Sequence, residues 1–108
     1  MVELPKPIAA YIAASNAHDA AACAACFADD AIVRDEGREM RDVDAIREWM
    51  DAAIAKYQHT VEVVTCAKMG GDTIVTCRVS GNFPGSPVEL RYVFAVADDK
   101  IARLEIVP

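Results

Sequence analysis

Three side chains in this sequence could do chemistry together: Asp35, Tyr11 and Arg91. Asp35 ends the run Ile32-Val33-Arg34-Asp35, where strand alternation puts it on the side of Val33 and opposite Arg34. If Val33 faces a core, so does the carboxylate, and a carboxylate held there can accept and return a proton. Tyr11 shares the apolar side of a helix with Leu4, Ile8 and Ile12, so its hydroxyl either meets a buried acceptor or donates into a pocket. Arg91 alternates with Val93 and Ala95, while Leu90, Tyr92, Phe94 and Val96 share the other face. If the first set faces the helices, Arg91 enters the interior and Tyr92 and Phe94 form an outer dimer surface. Asp35 is then its expected partner, with Glu36 next, because an unpaired buried guanidinium is very costly. In the reversed register Arg91 is solvated.

Other polar residues offer less. Glu36 points away from Asp35 on a strand, which argues against two carboxylates sharing a proton. His18 and His59 stand in or beside turns and are expected to be structural, with His59 an alternative acid or base near the sheet end. Cys23 and Cys26 form a C-x-x-C inside an alanine-rich helix without the context of a redox turn. Cys66 and Cys77 flank Gly70-Gly71-Asp72 and would face each other if Gly71 and Asp72 were the central turn residues. All four are expected to be small apolar fillers, and no metal site is expected. There is no Gly-rich phosphate loop or nucleophile elbow.

The elements that must position these groups are legible from periodicity. A first helix is expected from Leu4 to about Ser15 and a second from an Asp19 cap through Phe27, with Cys23, Cys26 and Phe27 as its buried stripe. Asp29-Asp30 should end it, leaving a short strand from Ala31 to Asp35 and a polar connection over Glu36-Gly37-Arg38-Glu39-Met40-Arg41. Ile46, Trp49, Met50, Ala53, Ile54 and Tyr57 mark a third helix, capped by Asp42 or Asp44. The period then changes to two, giving strands over 60–68, 73–82, 87–97 and 101–107 with hairpin signals at Gly70-Gly71-Asp72 and Asp98-Asp99-Lys100. Helices first and a meandering sheet afterwards is an α+β order. Three helices cannot cover both faces of such a sheet, so a curved sheet with helices on its concave side is the expected solution.

Composition narrows the function classes. The chain has 108 residues, one domain's worth, with 54% apolar residues and a formal charge of −6. Its Lys and Arg are scattered, which argues against a nucleic-acid binder. The first residues, Met1 to Pro7, lack the pattern of a secretory signal, and no apolar stretch approaches the roughly 20 residues of a membrane span. A cytoplasmic protein without membrane contact is expected.

The sequence resembles the nuclear transport factor 2-like superfamily, in its SnoaL-like and ketosteroid-isomerase-like branch. The resemblance is carried by Tyr11-Ile12-Ala13-Ala14-Ser15-Asn16-Ala17-His18-Asp19, Phe27-Ala28-Asp29-Asp30-Ala31, Asp35-Glu36-Gly37 and Asp44-Ala45-Ile46-Arg47-Glu48-Trp49. Ala97-Asp98-Asp99-Lys100-Ile101 looks like the family's last turn. The resemblance covers essentially the whole chain and implies a cystatin-like cone, a single domain over 1–108. It also implies Asp35 as a general base and Tyr11 as a hydrogen-bond donor to an enolate oxygen. The family's second donor, a protonated carboxylic acid, falls at or next to Arg91, a departure that replaces a neutral donor with a fixed charge. Relatives often carry Gly where Asp42 stands, and a carboxylate at the pocket rim would disfavour anionic ligands.

The resulting expectation is a cofactor-free, apolar cavity for an apolar or enolisable small molecule, walled by Phe27, Ile46, Trp49, Met50 and Val93. Homodimerisation through the sheet face is expected. The alternative is a non-catalytic ligand-binding or dimerisation module in which a buried Asp35–Arg91 pair fills a cavity smaller than the roughly 300 Å³ of ligand sites.

Overall fold

The structure is a computed structural model and describes residues 3–108; the start of the N-terminal stretch read for a secretory signal, Met1 and Val2, lies outside them. The described residues form three helices and a six-stranded sheet in the order α1 Lys6–Asn16, α2 Ala20–Ala24, β1 Phe27–Asp35, β2 Arg38–Arg41, α3 Asp42–Tyr57, β3 Thr60–Met69, β4 Asp72–Ser80, β5 Val88–Ala97 and β6 Lys100–Val107. The spatial order is β2-β1-β6-β5-β4-β3, antiparallel except where β1 runs parallel to β6. The sheet curves around the helices, an α+β architecture. None of the described helices is long and apolar enough to cross a membrane.

Local chemistry sets these boundaries. Pro7 sits in the first turn of α1, where its missing N–H costs nothing, and Ile8, Tyr11 and Ile12 are buried below it. The Asp19 carboxylate accepts from the Ala22 N–H at 3.0 Å and starts α2. That helix is shorter than its sequence suggests, because Phe27 opens β1 instead of closing the helix. The Phe27 ring meets Tyr11 edge-on at 5.6 Å in the core. Asp29 and Asp30 are exposed strand residues, lying where the β1–β6 register shifts between Phe27 and Ile32. The expected polar connection is also a strand: Glu36 and Gly37 turn with φ of 52° and 74°, and β2 returns with Arg38 opposite Asp35. At α3 the Asp42 carboxylate caps the Ala45 N–H at 3.0 Å.

The core lies between the helices and the inward row Val33, Leu104, Phe94 and Thr73, which are paired across β1, β6, β5 and β4 and all buried. Phe94 and Tyr92 therefore face the helices, and Arg91 and Val93 belong to the outer face. Burying two aromatic rings while leaving the guanidinium wet is the cheaper register. The expectation that Tyr92 and Phe94 form an outer dimer surface is corrected accordingly. The β3–β4 turn is centred on Gly70-Gly71, so Cys66 pairs with Val75 and Cys77 with Val63, and the two thiols do not oppose each other. All four cysteines are free.

Candidate functional site

A cavity of about 460 Å³ opens between α1, α3 and the inner face of β4–β6. Tyr11, Trp49 and Met50 reach it from the helices, Val79, Leu90, Tyr92 and Ile106 from the sheet, and Asp35 and Glu36 from the β1–β2 hairpin. Asp35 is half-buried at the end of β1, placed there by the turn that follows it. The Trp49 indole Nε1–H donates to Asp35 Oδ2 at 3.3 Å. Burial, and then the neighbouring Glu36, push the Asp35 carboxyl above the usual aspartate range; the Trp49 bond and Arg38 oppose this without reversing it.

Two phenols share the cavity with this carboxylate. Tyr11 is 2% exposed and Tyr92 4%. Burial foremost raises both hydroxyls above the ordinary tyrosine value, with smaller contributions from Tyr92 at Tyr11, from Cys77 at Tyr92, and from Asp35 at both. They stay protonated and can donate. Both residues line the cavity, and among the described residues no side-chain hydrogen bond from either hydroxyl to the protein is formed. The Tyr11 ring is fixed edge-on by Phe27 at 5.6 Å and Phe94 at 5.8 Å.

The mouth is built by a close backbone approach. A Cβ on Gly81 would lie 2.7 Å from the Tyr57 carbonyl oxygen, so glycine lets the β4–β5 loop cross the end of α3. The Asn82 N–H donates to the same carbonyl at 2.7 Å. Phe83 thereby meets Tyr57 edge-on at 5.7 Å, and the Tyr57 hydroxyl donates to Glu36 Oε1 at 3.3 Å.

His59 is buried and also lines the wall, its Nε2 3.4 Å from Ser15 Oγ. The His18 Nε2–H donates to the His59 carbonyl at 2.8 Å, tying the α1–α2 turn to the segment that leads into β3. Burial first, then His18, lowers the His59 value, which keeps the ring neutral. Although it stands just before β3 beside a turn, His59 is thus buried and not solvated.

Of the residues expected at the site, Asp35, Tyr11, Trp49 and Met50 come together. Phe27 and Ile46 are core residues behind the cavity, and Val93 is on the outer face. Arg91 does not enter: it is exposed and its guanidinium donates to the Pro108 carbonyl at 2.9 Å. The Asp35–Arg91 pair of the non-catalytic alternative is absent, and the cavity exceeds the size that alternative required. Asp42 is spent on its helix cap and does not line the cavity. Tyr92 is a site residue that sequence reasoning does not name as one: its alternation with Leu90 and Phe94 sets it on the face opposite Arg91, and only the volume of its ring and that of Phe94 marks that face as the inward one.

The comparisons with known proteins agree with this fold. The family model for the SnoaL-like domain matches residues 8–104. A crystal structure from Sinorhizobium meliloti, provisionally named a polyketide cyclase, is 41% identical, with a TM-score of 0.91 over 95% of this chain and 94% of that one. A second protein provisionally named a polyketide cyclase, from Xanthomonas campestris pv. campestris, is 20% identical with a TM-score of 0.78 over 93% and 85%. A protein of ketosteroid isomerase-like fold from Catenulispora acidiphila, solved with trimethylamine, is 18% identical with a TM-score of 0.86 over 98% and 87%. At these last two identities the likeness is one of fold. No curated protein matches the chain.

Proposed function

The chain belongs to the SnoaL-like domain family, and we propose that its cavity moves a proton next to a carbonyl of a small apolar or enolisable molecule. The reaction is of the isomerase or cyclase type, with Asp35 as general base. Asp35 takes a proton from the carbon beside the carbonyl, and the electron pair left behind shifts onto the carbonyl oxygen. The Tyr11 and Tyr92 hydroxyls donate to that oxygen as it gains charge. In an isomerisation Asp35 returns the proton to a second carbon. In a cyclisation the enolate carbon bonds to a second carbonyl of the same molecule, and the proton goes to the new alkoxide. No cofactor enters either scheme.

The observation that carries this reading is the sharing of one apolar cavity by a half-buried carboxylate of raised pKa and two unspent phenols. Family membership and the name of the Sinorhizobium relative support the isomerase or cyclase class. The test follows conversion of a β,γ-unsaturated cyclic ketone to its conjugated isomer by ultraviolet absorbance. Asp35→Asn should lower the rate by about 10² to 10⁴ while leaving binding of a planar phenol intact. An unchanged rate would exclude Asp35 as the base.

A homodimer through the outer sheet face, acting in the cytoplasm, completes the proposal. It is supported by the half-buried Ile74 and Val93, which pair across that face, and by four free thiols. Sedimentation of a monomer at micromolar concentration would count against the dimer.

A further inference from the structure

Among the described residues the cavity is lined by two carboxylate side chains, Asp35 and Glu36, and by no lysine or arginine. Five of its residues carry aromatic rings: Tyr11, Trp49, Tyr57, Phe83 and Tyr92. An anion entering would lose water and meet like charge. A neutral molecule is tolerated. An organic cation gains twice, from the carboxylates and from the negative faces of aromatic rings.

Burial orders these groups along the cavity. Tyr11, Tyr92 and Trp49 are interior, Tyr57 and Phe83 half-buried, and Glu36 exposed. At the mouth Glu36 accepts from the Tyr57 hydroxyl at 3.3 Å, and the Tyr57 ring abuts Phe83. One step inward, Asp35 is held by Trp49. Each carboxylate is thus tied to an aromatic residue of α3. The exposed Lys56 ammonium already lies 5.1 Å from the Tyr57 ring centroid without lining the cavity. Arg38 faces Asp35 across the hairpin, but its side chain likewise stays outside the lining.

The lining also sorts among cations. A primary ammonium carries three N–H groups that each need an acceptor, and apart from His59 most of the remaining wall, Met50, Val79, Val88, Leu90 and Ile106, is apolar. A tertiary or quaternary ammonium has at most one N–H and leaves water more readily. From this arrangement we infer that the cavity selects an alkylated ammonium, its charge at Glu36 and Asp35 near the mouth and the rest of the molecule, ending in its oxygen, directed toward Tyr11 and Tyr92. The inference rests on the cavity being a small-molecule site and gives its substrate class as amine-bearing rather than anionic.

Three phenols of matched shape test it on the full chain: 3-(trimethylammonio)phenol, the neutral isostere 3-tert-butylphenol, and 3-hydroxybenzoate. Binding is read by calorimetry and by emission of Trp49, the chain's one tryptophan. The cation should bind at least about tenfold tighter than the tert-butyl compound, and the benzoate weakest. Glu36→Gln should cut that advantage several-fold, read as the ratio of the cation and tert-butylphenol affinities within the same variant. Binding of tert-butylphenol with no preference for the cation overturns the ammonium inference and leaves the small-molecule reading standing. A preference that survives both Glu36→Gln and Asp35→Asn belongs to the chain's overall negative charge and overturns the site. Failure of all three to bind at millimolar concentration overturns both readings.

Discussion

The indole N–H of Trp49 reaches the carboxylate of Asp35 at 3.3 Å, joining the middle of α3 to the last residue of β1. This bond favours the ionised carboxylate, and burial, the larger effect, favours the neutral acid. Trp49→Phe removes the donor and leaves burial less opposed. Asp35 should then become a still weaker acid, and the acidic limb of the pH–rate profile should move to higher pH. A limb that stays in place would separate Trp49 from the tuning of Asp35.

Asp35 should also cost the fold stability where it is ionised. Its folded pKa lies above the ordinary value of 3.8, so the folded state holds the proton more tightly than the unfolded chain. The resulting stability is fully present below that ordinary value and is lost as pH rises through the raised one. Asp35→Asn should therefore raise the thermal midpoint at pH 7. The gain should vanish below about pH 3, where both states are protonated. A variant less stable than the parent at pH 7 would contradict the burial account.

His59 carries the opposite sign. Its folded value lies below the ordinary 6.5, so its contribution is present above that pH and lost as pH falls through it. The parent should lose part of its stability on acidification below about pH 6.5, and His59→Gln should flatten that segment of the curve. An identical slope in both proteins would count against a buried neutral imidazole.

The phenols should act in turnover and not in assembly. Tyr11→Phe and Tyr92→Phe each remove only a hydroxyl without a protein partner, so neither should reduce stability by more than about 1 kcal/mol. Each should lower kcat by about tenfold to a thousandfold if the hydroxyl meets a developing oxyanion. A fall in stability without a fall in kcat would reassign that hydroxyl to a structural bond.

Arg91→Ala should change both stability and turnover little, within about 0.5 kcal/mol for the former, since the side chain sits in solvent against the last carbonyl. Denaturation and kinetics of that single variant check the register of β5.

Much of this arrangement was legible in the sequence. The α3 stripe from Ile46 to Tyr57 and the Val33–Asp35 alternation put Trp49, Met50 and Asp35 on the cavity-facing sides they occupy, because single periods of 3.6 and 2 decide those faces. The β5 face was ambiguous because both alternating sets contain apolar residues, and only the volumes of Tyr92 and Phe94 decide which one fills the core. Phe27 was assigned to a helix because the irregular pairing after it hides the strand's period. Arg38-Glu39-Met40-Arg41 reads as part of a polar connection because a four-residue strand such as β2 is too short to show alternation. The mouth was not legible at all: Gly81, Phe83 and Tyr57 meet through a backbone approach that no local pattern records.

The most direct test of the account is a crystal structure with a planar phenol bound. The account predicts the phenol oxygen within about 3 Å of the Tyr11 and Tyr92 hydroxyls, with the Asp35 carboxylate over the ring. A phenol bound elsewhere, or bound with its oxygen turned away from both tyrosines, would contradict proton transfer at this site.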